Sequence, residues 1–203
     1  MDTTAMTPAL ALALQARFGS VAAWHTRVMA PGHTSGNGAG WGLLLFNPQT
    51  GHLDIARGPG PGDVPPGHTP LLAMDLRHPA PIDWAEVSTR YQATIHTTSE
   101  PWGIGADNVT GSQVLDVRRA GVVDQARTRL PGALWRDPAT VDQWAGELPV
   151  GVPITVYCVH GHEVSRATAL SVRAAGRDAR FLRGGIEAWA AAGHALEAWE
   201  RPN

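Results

Sequence analysis

Apolar residues recur at three- and four-residue spacing from Pro8 to Met29, the period of an amphipathic helix, and Pro31 and Gly32 mark its end. The glycine-rich run at 32–40 reads as a loop. Two short apolar runs then flank Asn47-Pro48-Gln49-Thr50-Gly51, which predicts a hairpin across 41–57. Prolines and glycines crowd 58–69, which excludes regular structure there. A strand at 70–76 and a helix around Trp84–Ile95 follow. The polar, turn-rich segment 97–112 reads as a linker, with one unit at 1–100 and a second at 108–203.

Beyond the linker the pattern becomes strand alternating with helix. Gln113–Val117 is a short strand, 137–148 a helix with Asp137 as N-cap and Pro138 after it, and Pro153–Cys158 is apolar throughout, as a central parallel strand should be. A helix at 165–176, a strand at 179–182, a Gly184-Gly185 turn and a last helix complete the run. The expected fold class is α/β, a parallel sheet with helices on both faces, joined to an N-terminal α+β module.

Composition narrows the function. The chain of 203 residues has a formal net charge of -2, and all sixteen of its Lys and Arg residues are Arg, so no dense basic stripe favours nucleic acid or anionic lipid. The apolar stretch Thr7–Phe18 lacks a basic leader and is too short to span a bilayer, so a cytoplasmic protein is expected. A single cysteine cannot form an internal disulfide, which agrees with a reducing compartment.

That cysteine, Cys158, lies at the predicted carboxyl end of the central strand, where sites form in open parallel sheets. Amides of a loop curling into a helix start make a positive cradle that suits a thiolate and an adjacent anion. A buried structural cysteine is the alternative on placement alone.

From Gln113 to about Ala198 the chain resembles a rhodanese domain, the fold of sulfurtransferases. The motifs occur in the family's order: "VLDVR" at 114–118, "RLPGAL" at 129–134 with Arg129 in place of the family's His, "YCVHGHEVS" at 157–165, and "FLRGGIEAWAAAG" at 181–193. The resemblance implies that Cys158 attacks the outer sulfur of thiosulfate or a similar donor and carries a persulfide to a thiol or cyanide acceptor. It implies an anion-binding loop of Val159, His160, Gly161, His162, Glu163, Val164 and Ser165, in which Gly161 has the family's glycine position. His160 and His162 either bond the bound anion or face solvent. Asp116 and Arg118 are expected to tie the first strand to the neighbouring turn. No cofactor is implied.

Counted from Cys158 to Gly176, the loop and helix are one residue longer than the usual six-residue sulfurtransferase loop leads one to expect. A seven-residue loop is the feature of the phosphatases and arsenate reductases that share this fold, and raises oxyanion chemistry as an alternative. Those enzymes need an Arg six places after the cysteine, where this chain has Val164. A persulfide carrier or sensor with little turnover is the non-enzymatic alternative.

The first hundred residues resemble, in order, the C-terminal domain of iron/manganese superoxide dismutases, through 14–28, 38–55 and 69–84. Asp75 has the position of that family's aspartate ligand, with Arg77 in place of the Trp, His78 in place of the Glu and Pro79 in place of the ligand His. One ligand of four does not hold a transition metal, and Asp75 with His78 makes a weak pair, so no metal is expected. The module reads as a degenerate scaffold, an interface for a homodimer or a protein partner. His25, His33, His52, His68 and His96 lack close helical spacing and read as ordinary polar residues. Trp199, after the last helix, either caps the fold or meets another chain.

Overall fold

The computed structural model describes residues 2–30 and 40–199, and the chain divides into compact units at Met1–Thr94 and Ile95–Asn203. The glycine-rich run at 32–40, with His33, lies outside the described residues except for Gly40.

The N-terminal unit opens with α1 (Pro8–Phe18) and α2 (Val21–Met29). One continuous helix was expected over these residues. Instead Gly19 is left-handed at φ 88° and closes α1, and the Ser20 hydroxyl accepts the Ala23 amide at 2.9 Å to start α2. A Gly-Ser pair can end one helix and cap the next without breaking the apolar periodicity, which is why the periodicity hides the break. Strands β1 (Trp41–Asn47), β2 (His52–Gly58) and β3 (Thr69–Asp75) form an antiparallel sheet in the order β2-β1-β3. Every residue of β1 from Gly42 to Phe46 is buried; because successive side chains point to opposite faces, the strand is covered on both. The pairing of β1 with β3 slips between Leu44 and Leu45, where Pro70, which has no amide to donate, faces Leu45. Trp24 packs edge-on against Trp84 at 5.5 Å.

Helix α3 (Trp84–Ser99) begins where the Asp83 carboxylate accepts the Glu86 amide at 3.0 Å. The segment read as a linker is ordered: a helical turn at Glu100–Trp102 leads into β4 (Gly103–Ile104), which pairs in parallel with a strand of the second sheet. Turn-rich composition cannot reveal a two-residue edge strand, whose pairing is entirely tertiary.

The second unit continues with β5 (Gln113–Asp116), α4 (Ala120–Val123), β6 (Thr128–Arg129), β7 (Leu134–Trp135), α5 (Val141–Trp144), β8 (Ile154–Tyr157), α6 (Glu163–Ala174), β9 (Ala179–Leu182), α7 (Gly185–Ala191) and β10 (Glu197–Ala198). Its main sheet is parallel, in the order β4-β9-β8-β5-β7. The central strand β8 is buried at all four positions, so both its faces are covered, as its unbroken apolar run predicts. Asp137 does cap, accepting the Ala139 amide at 2.9 Å, but the helix expected at 137–148 is three short pieces, Pro138–Thr140, Val141–Trp144 and Ala145–Glu147. The Trp144 indole donates back to the Asp137 carbonyl at 2.8 Å. Trp199 is 9% exposed and donates its amide to the Arg127 carbonyl, while the Arg129 guanidinium lies over its ring, so it caps its own domain. Arg129, in place of the family's His, ion-pairs with Glu197 at 2.5 Å and donates to the Ala133 carbonyl, holding β10 against β6.

Candidate active site

Strand β8, the middle one of the five, delivers Cys158 to the carboxyl edge of the sheet. The ground beneath it is a buried polar set. Arg118 and Asp116 pair at 2.5 Å with side chains 6% and 1% exposed, the Tyr157 hydroxyl donates to Asp116 at 2.8 Å, and Arg118 reaches the Thr128 carbonyl at 3.0 Å. Burial, then the Asp116 charge, pushes the Tyr157 phenol above its ordinary range, so it stays a donor. The pair thus ties β5 to the first residue of β6. Leaving one partner uncompensated costs about 3–5 kcal/mol.

The chain then turns sharply. Of the loop expected at Val159–Ser165, Val159–His162 precede the helix, whereas Glu163, Val164 and Ser165 form the first turn of α6, with His162 at the N-cap. Gly161 is left-handed at φ 68°, and a Cβ there would stand 2.5 Å from the Gly184 amide nitrogen and the Leu182 carbonyl oxygen. From the other side, a Cβ on Gly185 would stand 2.4 Å from the Cys158 and Val159 carbonyl oxygens. Two backbone turns therefore lie in direct contact, and the Ile186 and Glu187 amides at the start of α7 donate to the Cys158 and Val159 carbonyls at 3.0 and 3.2 Å. These carbonyls are drawn to α7.

Cys158 is 7% exposed, and its Sγ lies 3.2 Å from the hydroxyl of Ser165, itself fully buried. Ser165 Oγ also donates to the His162 carbonyl at 3.3 Å. Three imidazoles form a row along the loop that follows the thiol. His160 and His162 have ring centroids 5.5 Å apart, and His96, from the last turn of α3, lies 6.3 Å from His162. Each end of the row is held by a carboxylate, Glu187 to His160 at 2.9 Å and Glu163 to His96 at 2.8 Å. Burial opposes the Glu163 carboxylate, but its own amide and His96 outweigh burial and hold its carboxyl below the usual glutamate range.

Arg166 has a different task from gripping an anion. Its Nε donates to the Gly161 carbonyl at 3.1 Å, its Nη1 reaches Ser99 and Glu100 at 3.2 and 2.9 Å, and its guanidinium covers the Phe181 ring at 4.1 Å. Arg183 also pairs with Glu100. Sequence reasoning assigned no role here to His96, Arg166, Glu100 or the Gly184-Gly185 turn. Only the double glycine had a local signal; the others arrive from elements far apart in the chain.

The N-terminal unit has its own candidate, the Asp75 position. Asp75 accepts the Arg77 amide at 2.9 Å and Arg77 Nε at 3.2 Å, contacts that hold its carboxyl below the ordinary range, while His78 Nδ1 is 3.7 Å away. A carboxylate already facing a guanidinium, beside a proline where an imidazole would be needed, does not fit an iron or manganese ion. Among the described residues no three His, Cys, Asp or Glu side chains are placed to share a metal.

Two parts of the chain match known protein families. Residues 104–192 match the rhodanese-like domain, and residues 6–97 match the C-terminal domain of iron/manganese superoxide dismutases. The chain is therefore similar over residues 104–192 to a rhodanese-like domain and over residues 6–97 to a dismutase-type module. It is similar to an iron superoxide dismutase of Cupriavidus metallidurans, 32% identical over 91 residues, which are 44% of this chain and 46% of that protein; the chain thus spans under half of that relative's length. Among solved structures it is similar to a rhodanese-related protein of Thermoplasma volcanium, at 20% identity and a TM-score of 0.42, over 47% of this chain and 96% of that one. It is also similar to a Rhodopseudomonas palustris protein of unknown function described as a possible tyrosine phosphatase, at 16% identity and a TM-score of 0.48, over 59% of this chain and 99% of that one. Among the described residues no helix is long and apolar enough to cross a membrane.

Proposed function

We propose that the protein is a rhodanese-type sulfurtransferase that moves sulfane sulfur from a small donor to a thiol or cyanide acceptor through a persulfide on Cys158. The observation that carries this reading is the placement of a single thiol at the carboxyl end of the central strand, at the start of a loop packed backbone to backbone against the Leu182–Gly185 turn through Gly161 and Gly185. The Cys158 thiolate forms a bond to the donor's outer sulfur, and the bond from that sulfur to the sulfonyl group breaks with its electron pair leaving on sulfite. The acceptor then attacks the outer persulfide sulfur and Cys158 leaves as thiolate. The Ser165 hydroxyl is 3.2 Å from Sγ, near enough for its one proton to turn from the His162 carbonyl to the anion that Cys158 carries.

Oxyanion chemistry lacks the cation it needs. Val164 stands six places after the cysteine, and the nearby Arg166 is committed to Gly161, Ser99 and Glu100. A missing charged clamp of this kind costs on the order of 2–4 kcal/mol in the transition state. The N-terminal module we take as a scaffold that docks a second copy or a protein partner, and a reducing cytoplasm suits a lone nucleophilic thiol.

The test is thiocyanate release from thiosulfate and cyanide, with hydrolysis of a chromogenic aryl phosphate measured in parallel. Multiple turnovers of thiocyanate, lost on Cys158→Ala, and negligible phosphate release are expected. One turnover without recycling would instead favour the carrier, and a Cys158→Ala protein at the parent rate would end the reading.

A further inference from the structure

We infer that the mouth around Cys158 selects sulfane donors of low negative charge, accepting a monoanionic thiosulfonate or organic persulfide readily and dianionic thiosulfate only as the rim imidazoles take up protons; this rests on the sulfur-transfer reading above. The observation behind it is the set of charges bonded to the loop and to one another around it. From the loop and α6 come His160, His162, Glu163 and Arg166; from α7, Glu187; from the end of α3 and the turn after it, His96 and Glu100; from the end of β9, Arg183. Beneath, Asp116 and Arg118 neutralise each other.

Both guanidiniums converge on Glu100, so neither is a free counter-ion for a substrate. Two further carboxylates, Glu163 and Glu187, hold the ends of the imidazole row. With the imidazoles neutral, two guanidiniums stand against three carboxylates, one net negative charge; with all three protonated the set carries two net positive charges. Imidazole is the side chain that ordinarily makes such a change between pH 5 and 8. An exposed anion approaching within a Debye length of this set, about 8 Å at physiological salt, feels the difference.

Donor charge then separates the substrates. In both reactions the Cys158 thiolate bonds to the donor's outer sulfur while the bond to the sulfonyl sulfur breaks. The electron pair leaves on sulfite from thiosulfate, or on a sulfinate from a thiosulfonate, so total charge is conserved and no outside oxidant or reductant is consumed. A dianion feels twice the rim potential that a monoanion feels. The ratio of their rates therefore reads the rim alone, because the titration of the attacking thiol is common to both.

The experiment is single-turnover persulfide formation on the full chain, followed by intact mass, with thiosulfate and with benzenethiosulfonate at pH 6 and pH 8. The ratio of the thiosulfate to the benzenethiosulfonate rate constant should rise at least about fivefold on going from pH 8 to pH 6. Glu187→Gln should raise that ratio at pH 8 by roughly two- to threefold, and the combined His160→Gln and His162→Gln protein should lose most of the pH response. A ratio flat with pH in the parent protein would overturn the inference and leave sulfur transfer standing. Failure of both donors to persulfidate Cys158 at either pH would bring down the sulfur-transfer reading and this inference with it.

Discussion

At the scale of single residues, Gly161 and Gly111 have nearly the same backbone, φ 68° and 69°, and opposite surroundings. Nothing approaches a Cβ at Gly111 within 4 Å, whereas one at Gly161 meets two backbone atoms of the Leu182–Gly185 turn at 2.5 Å. Gly111→Ala should therefore cost only the left-handed strain, about 1–2 kcal/mol. Gly161→Ala must also push two turns apart, and a loss of more than about 3 kcal/mol is expected, with persulfide formation impaired. Chemical denaturation of the two variants checks this; equal losses would mean that backbone strain alone, and not the close approach, fixes the glycine.

At the scale of elements, the first turn of α6 is both scaffold and rim. Glu163 has its carboxyl lowered on balance by its own amide and His96, against burial. A carboxyl depressed by folding contributes stability that is fully present above its unfolded value, about 4.3, and that is lost as pH falls through the lower folded value. Glu163→Gln should leave a shallower loss of unfolding free energy on acidification from about pH 5 downward. Denaturant titrations at a series of pH values read this slope, and an unchanged slope would contradict the assignment. The same helix shows what could be read from the chain beforehand. The apolar run of β8, the glycine after Cys158 and the Gly184-Gly185 turn were legible because each is a local backbone requirement. The loop was expected to run through Ser165, but Glu163, Val164 and Ser165 are already helical, since neither Glu nor Ser signals whether a helix has begun. His96 looked ordinary because its partner, Glu163, is distant in sequence and reaches it only through tertiary folding.

At the scale of the whole molecule, one chain carries a part similar to a dismutase C-terminal domain and a part similar to a rhodanese-like domain. The dismutase-type module keeps the aspartate position but turns its carboxylate onto Arg77. Purified protein should accordingly contain iron and manganese far below one equivalent and should not dismutate superoxide; stoichiometric metal, lost on Asp75→Ala, would contradict that. The proposed sulfur transfer turns on one sulfur atom, that of Cys158. The most direct measurement is intact-mass and peptide mass spectrometry of the protein after exposure to a sulfane donor. Sulfur transfer through Cys158 requires a gain of one sulfur confined to the peptide that contains Cys158, discharged by cyanide as thiocyanate, and absent from Cys158→Ala. No gain of sulfur in the parent protein, or the same gain in Cys158→Ala, would contradict it.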